Sequence, residues 1–278
     1  MNQVAAIQMA SGPMREANLV QAGRLVTEAA SRGAKLVVLP EAFDLMPRTD
    51  AERAAAAEPD GPSPVQKFLS HLARNNQVWL VGGTVPLRGP NPARAYASCL
   101  VYGPDGRRAA RYDKIHLFDV ELTEKGERYE ESATIEPGSE PVVVQTDVGC
   151  VGLAVCYDIR FPELFQRLQR KGAEIFVLPS AFTAQTGRAH WDILLRARAI
   201  ENLCFMIAAA QGGYHINGRE TYGHSEVIDP WGSILASRAS GTGVVFADLD
   251  LALQRRIRKY FPTLEHHRLG FPAETEIL

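Results

Sequence analysis

The sequence predicts an α/β fold in which two sheets stack face to face with helices on their outer sides, an αββα sandwich. Three observations lead there. Short apolar runs of strand length recur along the chain, stretches of helical period separate them, and one ten-residue pattern occurs twice. The two copies are RGAKLVVLPE at 32–41 and KGAEIFVLPS at 171–180, each reading helix end, Gly turn, buried strand, Pro and polar residue. In both, a Lys or Arg stands in the last helical turn, where the helix dipole favours a cation. Two halves built alike would each supply one sheet with its helices, as a pseudo-two-fold repeat. Chance similarity between two α/β units is the alternative, since strand-plus-Gly patterns recur widely.

From the N-terminus, the apolar runs VAAIQM (4–9) and KLVVLP (35–40) flank a helical stretch at about 15–32. The stretch from Ala51 to Pro64, rich in Ala, Pro and Gly, reads as a surface loop, followed by a helix at 63–75 and a strand at 77–83, QVWLVGG. Arg88 to Pro92 is a turn leading into the strand ASCLVYG (97–103). Asp119 to Pro137 carries many acids and no clear period, so it reads as a long loop, and loops of that size often rim an active site. Strands follow at 150–156, 173–179, 204–210, 225–230 and 243–249, with helices at 161–171, 188–202 and 250–259.

A chain of 278 residues is long enough for one large core, so a single domain over 1–278 is expected, with two small domains as the alternative. Its C-terminal segment, about 250–278, contains YFPTLEHHRLGF, aromatic and apolar enough to dock on the core or on a partner subunit. With 30 Lys plus Arg against 32 Asp plus Glu, the charge offers no electrostatic case for nucleic acid or an anionic membrane. Arg107, Arg108, Arg111, and Arg255, Arg256, Arg258 with Lys259, are short groups flanked by acids and read as solvated or interface faces. No apolar run approaches a membrane span, and MNQVAAIQMA is not a secretory signal. Cys99, Cys150, Cys156 and Cys204 have no metal-like spacing and are too few for a disulfide scaffold, which fits a reducing cytoplasm. His215 and His224, and His266 and His267, form no recognised ligand pattern, so neither metal nor cofactor is expected.

Among residues able to do chemistry, Cys156 follows the run VGLAV and precedes YDIRFPEL. A strand, a sharp turn and a helix starting near Pro162 would hold its thiol at the sheet's end, with the Tyr157 N–H as donor to an oxyanion. The competing reading is a buried small apolar side chain, where free cysteines usually reside. Glu41, just beyond a buried strand, stands where ligands bind in α/β sheets, and burial would raise its pKa toward that of a general base. Taken alone, it reads rather as a helix-capping or loop carboxylate. Lys114, in the extended segment RYDKIHLFD, either snorkels to solvent or is held by a carboxylate, and in a hydrolase it could stabilise an oxyanion. Neighbouring His116 reads as a structural hydrogen-bonding group. Composition alone does not separate Glu131 from Glu130.

The motifs LPEAF around Glu41, YDKIHLFD around Lys114 and CYDIRFPEL around Cys156, in this order and spacing, resemble the nitrilase superfamily of carbon–nitrogen hydrolases over essentially the whole chain. The resemblance implies the αββα fold of the nitrilase type, and homodimers or higher even oligomers. It implies Glu41 as general base, Lys114 as oxyanion stabiliser, Cys156 as nucleophile, and Glu131 as the carboxylate that orients Lys114 and substrate. The stretches PEAFD (40–44), LPSAFTAQTGRAHW (178–191), LLRARAIEN (194–202), AAAQGG (208–213) and YGHSEVIDPWG (222–232) resemble the deaminated-glutathione amidase branch. That branch implies release of 2-oxoglutarate and cysteinylglycine. An omega-amidase acting on 2-oxoglutaramate is the alternative within the class, and a non-catalytic scaffold on the same fold is the alternative outside it.

A substrate bearing carboxylates needs cationic or N–H partners. Arg160, at the start of the helix after the turn, is one candidate, against a salt bridge to Glu163. Phe182, Thr183 and Arg188, beyond a strand end, are candidate pocket residues. Asp158 is expected to fix the nucleophile turn. The loop 212–223, with Tyr214, Asn217 and Arg219, approaches either the pocket or a dimer contact, or is an ordinary hairpin; Trp231 reads as a packed turn residue.

Overall fold

The computed structural model describes residues 2–122 and 127–269. In chain order the first half forms β1 (Asn2–Gln8), α1 (Arg15–Ser31), β2 (Leu36–Val38), α2 (Asp50–Ala55), α3 (Pro64–Asn76), β3 (Trp79–Val81), β4 (Val85–Arg88), β5 (Ala95–Tyr102), β6 (Arg108–Asp113), β7 (Asp119–Leu122), β8 (Glu127–Glu130) and β9 (Ile135–Glu136). The second half forms β10 (Val143–Thr146), β11 (Gly149–Leu153), α4 (Pro162–Arg170), β12 (Ile175–Ser180), α5 (Ala184–Asn202), β13 (Phe205–Ala210), β14 (Gly212–Tyr214), β15 (Glu220–Tyr222), β16 (Ser225–Ile228), β17 (Ile234–Arg238), β18 (Gly243–Leu249) and α6 (Leu251–Tyr260).

Each half makes one large sheet. The first runs β18-β1-β2-β3-β5-β4, with β6 and β9 also on β5; the second runs β10-β11-β12-β13-β16-β17. At the centre of each lie three parallel strands, β1, β2 and β3 in one and β11, β12 and β13 in the other. The twofold alternation of side chains sorts the layers. Val4 and Ala6 of β1 and Leu36 and Val38 of β2 pack toward the second sheet, in one cluster with Leu153, Val177 and Ile207, which share one face of it by register. Ala5, Ile7, Val37 and Leu80 point the other way, onto Leu25 and Val26 of α1 and Val65 and Leu69 of α3. Leu164 and Phe165 of α4 and Trp191 and Leu195 of α5 pack with the second sheet, which completes the αββα sandwich. Each large side chain so buried contributes roughly 1.5–3 kcal/mol.

The sequence repeat is a structural one. Helices α1 and α4 end on Gly33 and Gly172, with φ of 99° and 97°, a region that penalises any residue with a Cβ. The N–H groups of Gly33 and Gly172 donate to Ala30 and Gln169, and those of Ala34 and Ala173 to Ala29 and Leu168, so the two caps match bond for bond. The last strand closes the halves together, because β18 pairs antiparallel with β1 along the whole length of that strand.

Three stretches differ from expectation. The Ala-rich segment read as surface loop contains α2, capped by Thr49, whose hydroxyl accepts from the Glu52 N–H. The acidic segment 119–137 is not a structureless loop: Asp119 pairs with Glu130 and Val120 with Tyr129 in a β7–β8 hairpin, a short helical turn spans Glu131–Ala133, and β9 pairs with β5. These strands are two to four residues long and mostly uncovered by core, so they carry too little apolar signal to read. The six-residue strand β6 is half charged, with Tyr112 its one buried residue, and also carries too little apolar signal to read. At the C-terminus, α6 lies against the starts of β12 and β13, where Gln254 donates to the carbonyls of Glu174 and Leu203. Residues 270–278 of the segment expected to dock lie outside the described residues.

Candidate active site

The two copies of the repeat end at the same place. Past β2 the chain delivers Glu41, past β12 it delivers Ala181, and the Ala181 N–H donates to Glu41 Oε2 at 2.8 Å. Glu41 is followed by Ala42 at φ 54°, a left-handed residue whose N–H is held by Thr84 Oγ1. Close by, a Cβ on Gly83 would come within 2.1 Å of the Pro40 carbonyl oxygen, so this approach of two loops requires glycine.

Lys114 arrives from β6, its own N–H donating to Ala97 O and its carbonyl accepting from Gly138. Its ammonium is 2% exposed and lies 3.0 Å from Glu41 Oε1 and 2.9 and 2.8 Å from the two oxygens of Glu131. Glu131 begins the short turn after β8, and its Oε2 also accepts from the Phe118 N–H at 2.7 Å. The two carboxylates therefore grip one buried cation from opposite arms of the chain.

Cys156 opens a helical turn, Cys156–Arg160, between β11 and α4, and its φ of 48° is a left-handed conformation that costs a non-glycine residue roughly 1–2 kcal/mol. The fully buried Asp158 holds this turn. Its Oδ2 accepts from the Val155 N–H at 2.8 Å and from the Tyr112 hydroxyl at 2.6 Å, while Oδ1 accepts from the His116 N–H at 3.1 Å and lies 2.7 Å from His116 Nδ1. Asp158 and His116 are thus structural in the way their surroundings suggested, and His116 also stacks on Phe161.

The electrostatics define the resting protonation. Burial pushes the Glu41 carboxyl up, but the Lys114 charge, the Cys156 thiol and more distant Arg219 outweigh it, and Glu41 sits below its ordinary value of 4.5. The expectation that burial would raise Glu41 is corrected here, because the ammonium that compensates it lies 73 residues away in sequence. Burial and the Glu41 charge push the Cys156 thiol well up, against the pull of Lys114 and the Ala181 N–H. Burial alone would discharge Lys114, yet Glu131 and Glu41 hold it above its ordinary value. The set at rest is a neutral thiol, a carboxylate and a paired ammonium.

These groups open on a cavity of about 630 Å³, its mouth included, lined by Glu41, Lys114, Glu131, Cys156, Tyr157, Phe182 and Thr183. Arg53 and Arg219 also reach it, the first from α2 and the second from the β14–β15 hairpin. Arg160 and Arg188 do not. Arg160 lies against the rings of Tyr157 and Phe182 and 3.4 Å from His190 Nδ1, with no bridge to Glu163, and Arg188 faces Glu220 at 4.0 Å. Arg53 stands on α2, a helix whose sequence DAERAA carries no apolar stripe to announce it. Away from the cavity, Asp192, His224 and buried Glu226 bring ligand-type atoms within 4.8 Å of one another.

The carbon–nitrogen hydrolase family model matches residues 3–259. The chain belongs to the carbon–nitrogen hydrolase family. The hydrolase is 41% identical to the deaminated glutathione amidase of a Synechocystis strain over 94% of this chain and 96% of the relative. It is 42% identical to the deaminated glutathione amidase of Homo sapiens over 95% of this chain and 82% of the relative. Among solved structures, a Saccharomyces cerevisiae member of branch 10 of the nitrilase superfamily superposes with a TM-score of 0.86 at 33% identity, covering 96% of this chain and 97% of that chain. The expected nitrilase-type sandwich and an enzyme of amidase type are thereby borne out for this carbon–nitrogen hydrolase. Among the described residues, no helix of the hydrolase is long and apolar enough to cross a membrane.

Proposed function

We propose that the hydrolase cleaves deaminated glutathione to 2-oxoglutarate and cysteinylglycine through a thioester on Cys156. The observation that carries the reading is the buried arrangement of Glu41, Lys114, Glu131 and Cys156 around one cavity, in a chain whose relatives bear that activity in their names. As sulfur attacks the amide carbonyl, the thiol proton passes to Glu41, which rests as a carboxylate. The negative charge that develops on oxygen meets Lys114, already charged and fixed by Glu131, together with the Tyr157 N–H. The carbon–nitrogen bond then breaks, and Glu41 returns the proton to the departing amine. Glu41 next takes a proton from water, whose oxygen attacks the thioester; the acid leaves and the thiol is restored. Because the thiol's own pKa is raised, proton transfer is coupled to attack rather than completed before it.

The chain acts as one domain, since both halves contribute to this cavity. The cytoplasm suits its four free cysteines. A homodimer or higher even oligomer is supported by exposed apolar side chains on and beside α5, including Ile193, Ile200 and Trp231.

The test compares initial rates of 2-oxoglutarate release from deaminated glutathione and from 2-oxoglutaramate, with Cys156→Ala as control. Faster release from the first is expected. Preference for the second makes the protein an omega-amidase, and no Cys156-dependent release from either rejects the reading.

A further inference from the structure

Two of the cations around the cavity stand outside its ion pairs. Glu41 and Glu131 are both committed to Lys114, and exposed Glu130 pairs with Arg128. Two guanidinium groups remain. Arg53 and Arg219 have no ion-pair partner among the described residues, and each leaves a buried Nε without an acceptor. Arg219 is fixed from the other side, with Nη2 donating to Ala181 O at 2.8 Å and the guanidinium 5.2 Å from the centre of the Tyr129 ring. Tyr129 is itself part of the cavity lining.

An unmet buried N–H on a charged group is costly, and a carboxylate is the ligand that relieves it, since two guanidinium N–H donors match its two oxygens. We infer that Arg53 and Arg219 form the subsite for the carboxylate on the acyl half of the substrate. The acyl half is the one that must stay, esterified to Cys156, while the amine departs and water enters, so a charge held inside the cavity serves both steps. Arg219 bonds to the carbonyl of Ala181, whose N–H holds Glu41, so carboxylate binding and the base share one peptide segment. The inference rests on the keto-acid amide reading of the function and adds to it the residues that select an acidic acyl group.

Arg53→Met is the cleaner probe, because that side chain has no hydrogen bond or ion pair to lose among the described residues; Arg219→Lys keeps the charge but not the fork. Steady-state kinetics are measured on deaminated glutathione, on 2-oxoglutaramate and on a neutral amide of the same chain length. KM for both acids is expected to rise about 10- to 100-fold in Arg53→Met, the factor for one charge-assisted hydrogen bond, with kcat/KM on the neutral amide unchanged. Arg219→Lys is expected to raise KM for both acids less. An increase confined to deaminated glutathione overturns the inference, since it places the arginines on the leaving half. Unchanged KM on any acid that the wild type hydrolyses also overturns it and leaves the functional reading standing. A wild type that attacks only the neutral amide overturns both.

Discussion

Replacing Asp158 by Asn removes one oxygen from a group that serves four donors. The carboxylate receives the Val155 N–H and the Tyr112 hydroxyl on one oxygen, and the His116 N–H with the His116 ring on the other. The hydroxyl and the ring can exchange donor for acceptor, but the two main-chain N–H groups cannot. Whichever way the amide turns, its NH₂ faces one of them, which is left without an acceptor at a site closed to water. That orphan and the lost charge assistance together cost about 2–5 kcal/mol of folding stability. The slackened turn is the one that holds Cys156 at φ 48°, so kcat falls about 10- to 100-fold through misplacement of the sulfur while KM changes little. Chemical denaturation followed by tryptophan fluorescence reads the first effect and steady-state kinetics on deaminated glutathione the second. A variant with unaltered denaturation midpoint and unaltered kcat refutes the reasoning.

Other consequences can be measured in the same way. The acid limb of kcat/KM is expected below 4.5, because Lys114, Cys156 and Arg219 together hold Glu41 down against burial; a limb above that value contradicts the assignment of base. Glu226 lies buried beside Asp192 and His224 with Arg196 as the nearby cation, and burial first, then Asp192, raises it to about 8. The fold keeps this proton while the unfolded chain loses it, so stability falls as pH rises from 4.5 to about 8. Glu226→Gln should remove that slope and gain about 2–4 kcal/mol at the alkaline end, read by thermal unfolding at both ends; equal gains at both ends would falsify it. In Gly138→Ala the new Cβ would come 2.1 Å from the Asp113 carbonyl oxygen, displacing the end of β6 and Lys114 after it. Its kcat/KM should drop about 100-fold, and wild-type kinetics would show that Lys114 tolerates the shift.

The sandwich was legible because its central strands are buried on both faces and separated by helices of clear period, and because the Gly33 and Gly172 caps repeat in sequence as they do in space. The local sequence offers Cys156 and Glu41 as candidates at strand ends and Lys114 in an extended segment, and the family resemblance singles them out. Selecting Glu131 over Glu130 needed the family resemblance, since only the turn after β8 aims the one at Lys114 and leaves the other beside Arg128. The protonation of Glu41 could not be read locally: burial and pairing pull in opposite directions, and the pairing is long-range. Arg53 escaped because a six-residue helix of Asp, Ala, Glu and Arg has no apolar stripe, and its place on the cavity depends on tertiary packing alone.

The peptide N–H of Ala181 reaching across to Glu41 makes the site a report on assembly. A chain whose halves have each formed but not yet met has Cys156 and Glu41 on separate bodies. It then carries an unremarkable thiol, unable to acylate itself on the many amides around a nascent polypeptide. Contacts this distant along the chain are among the slowest to close. Under the proposed mechanism, reactivity is latent until the final docking of the sheets, and regain of turnover should mark the end of refolding rather than its early, local steps.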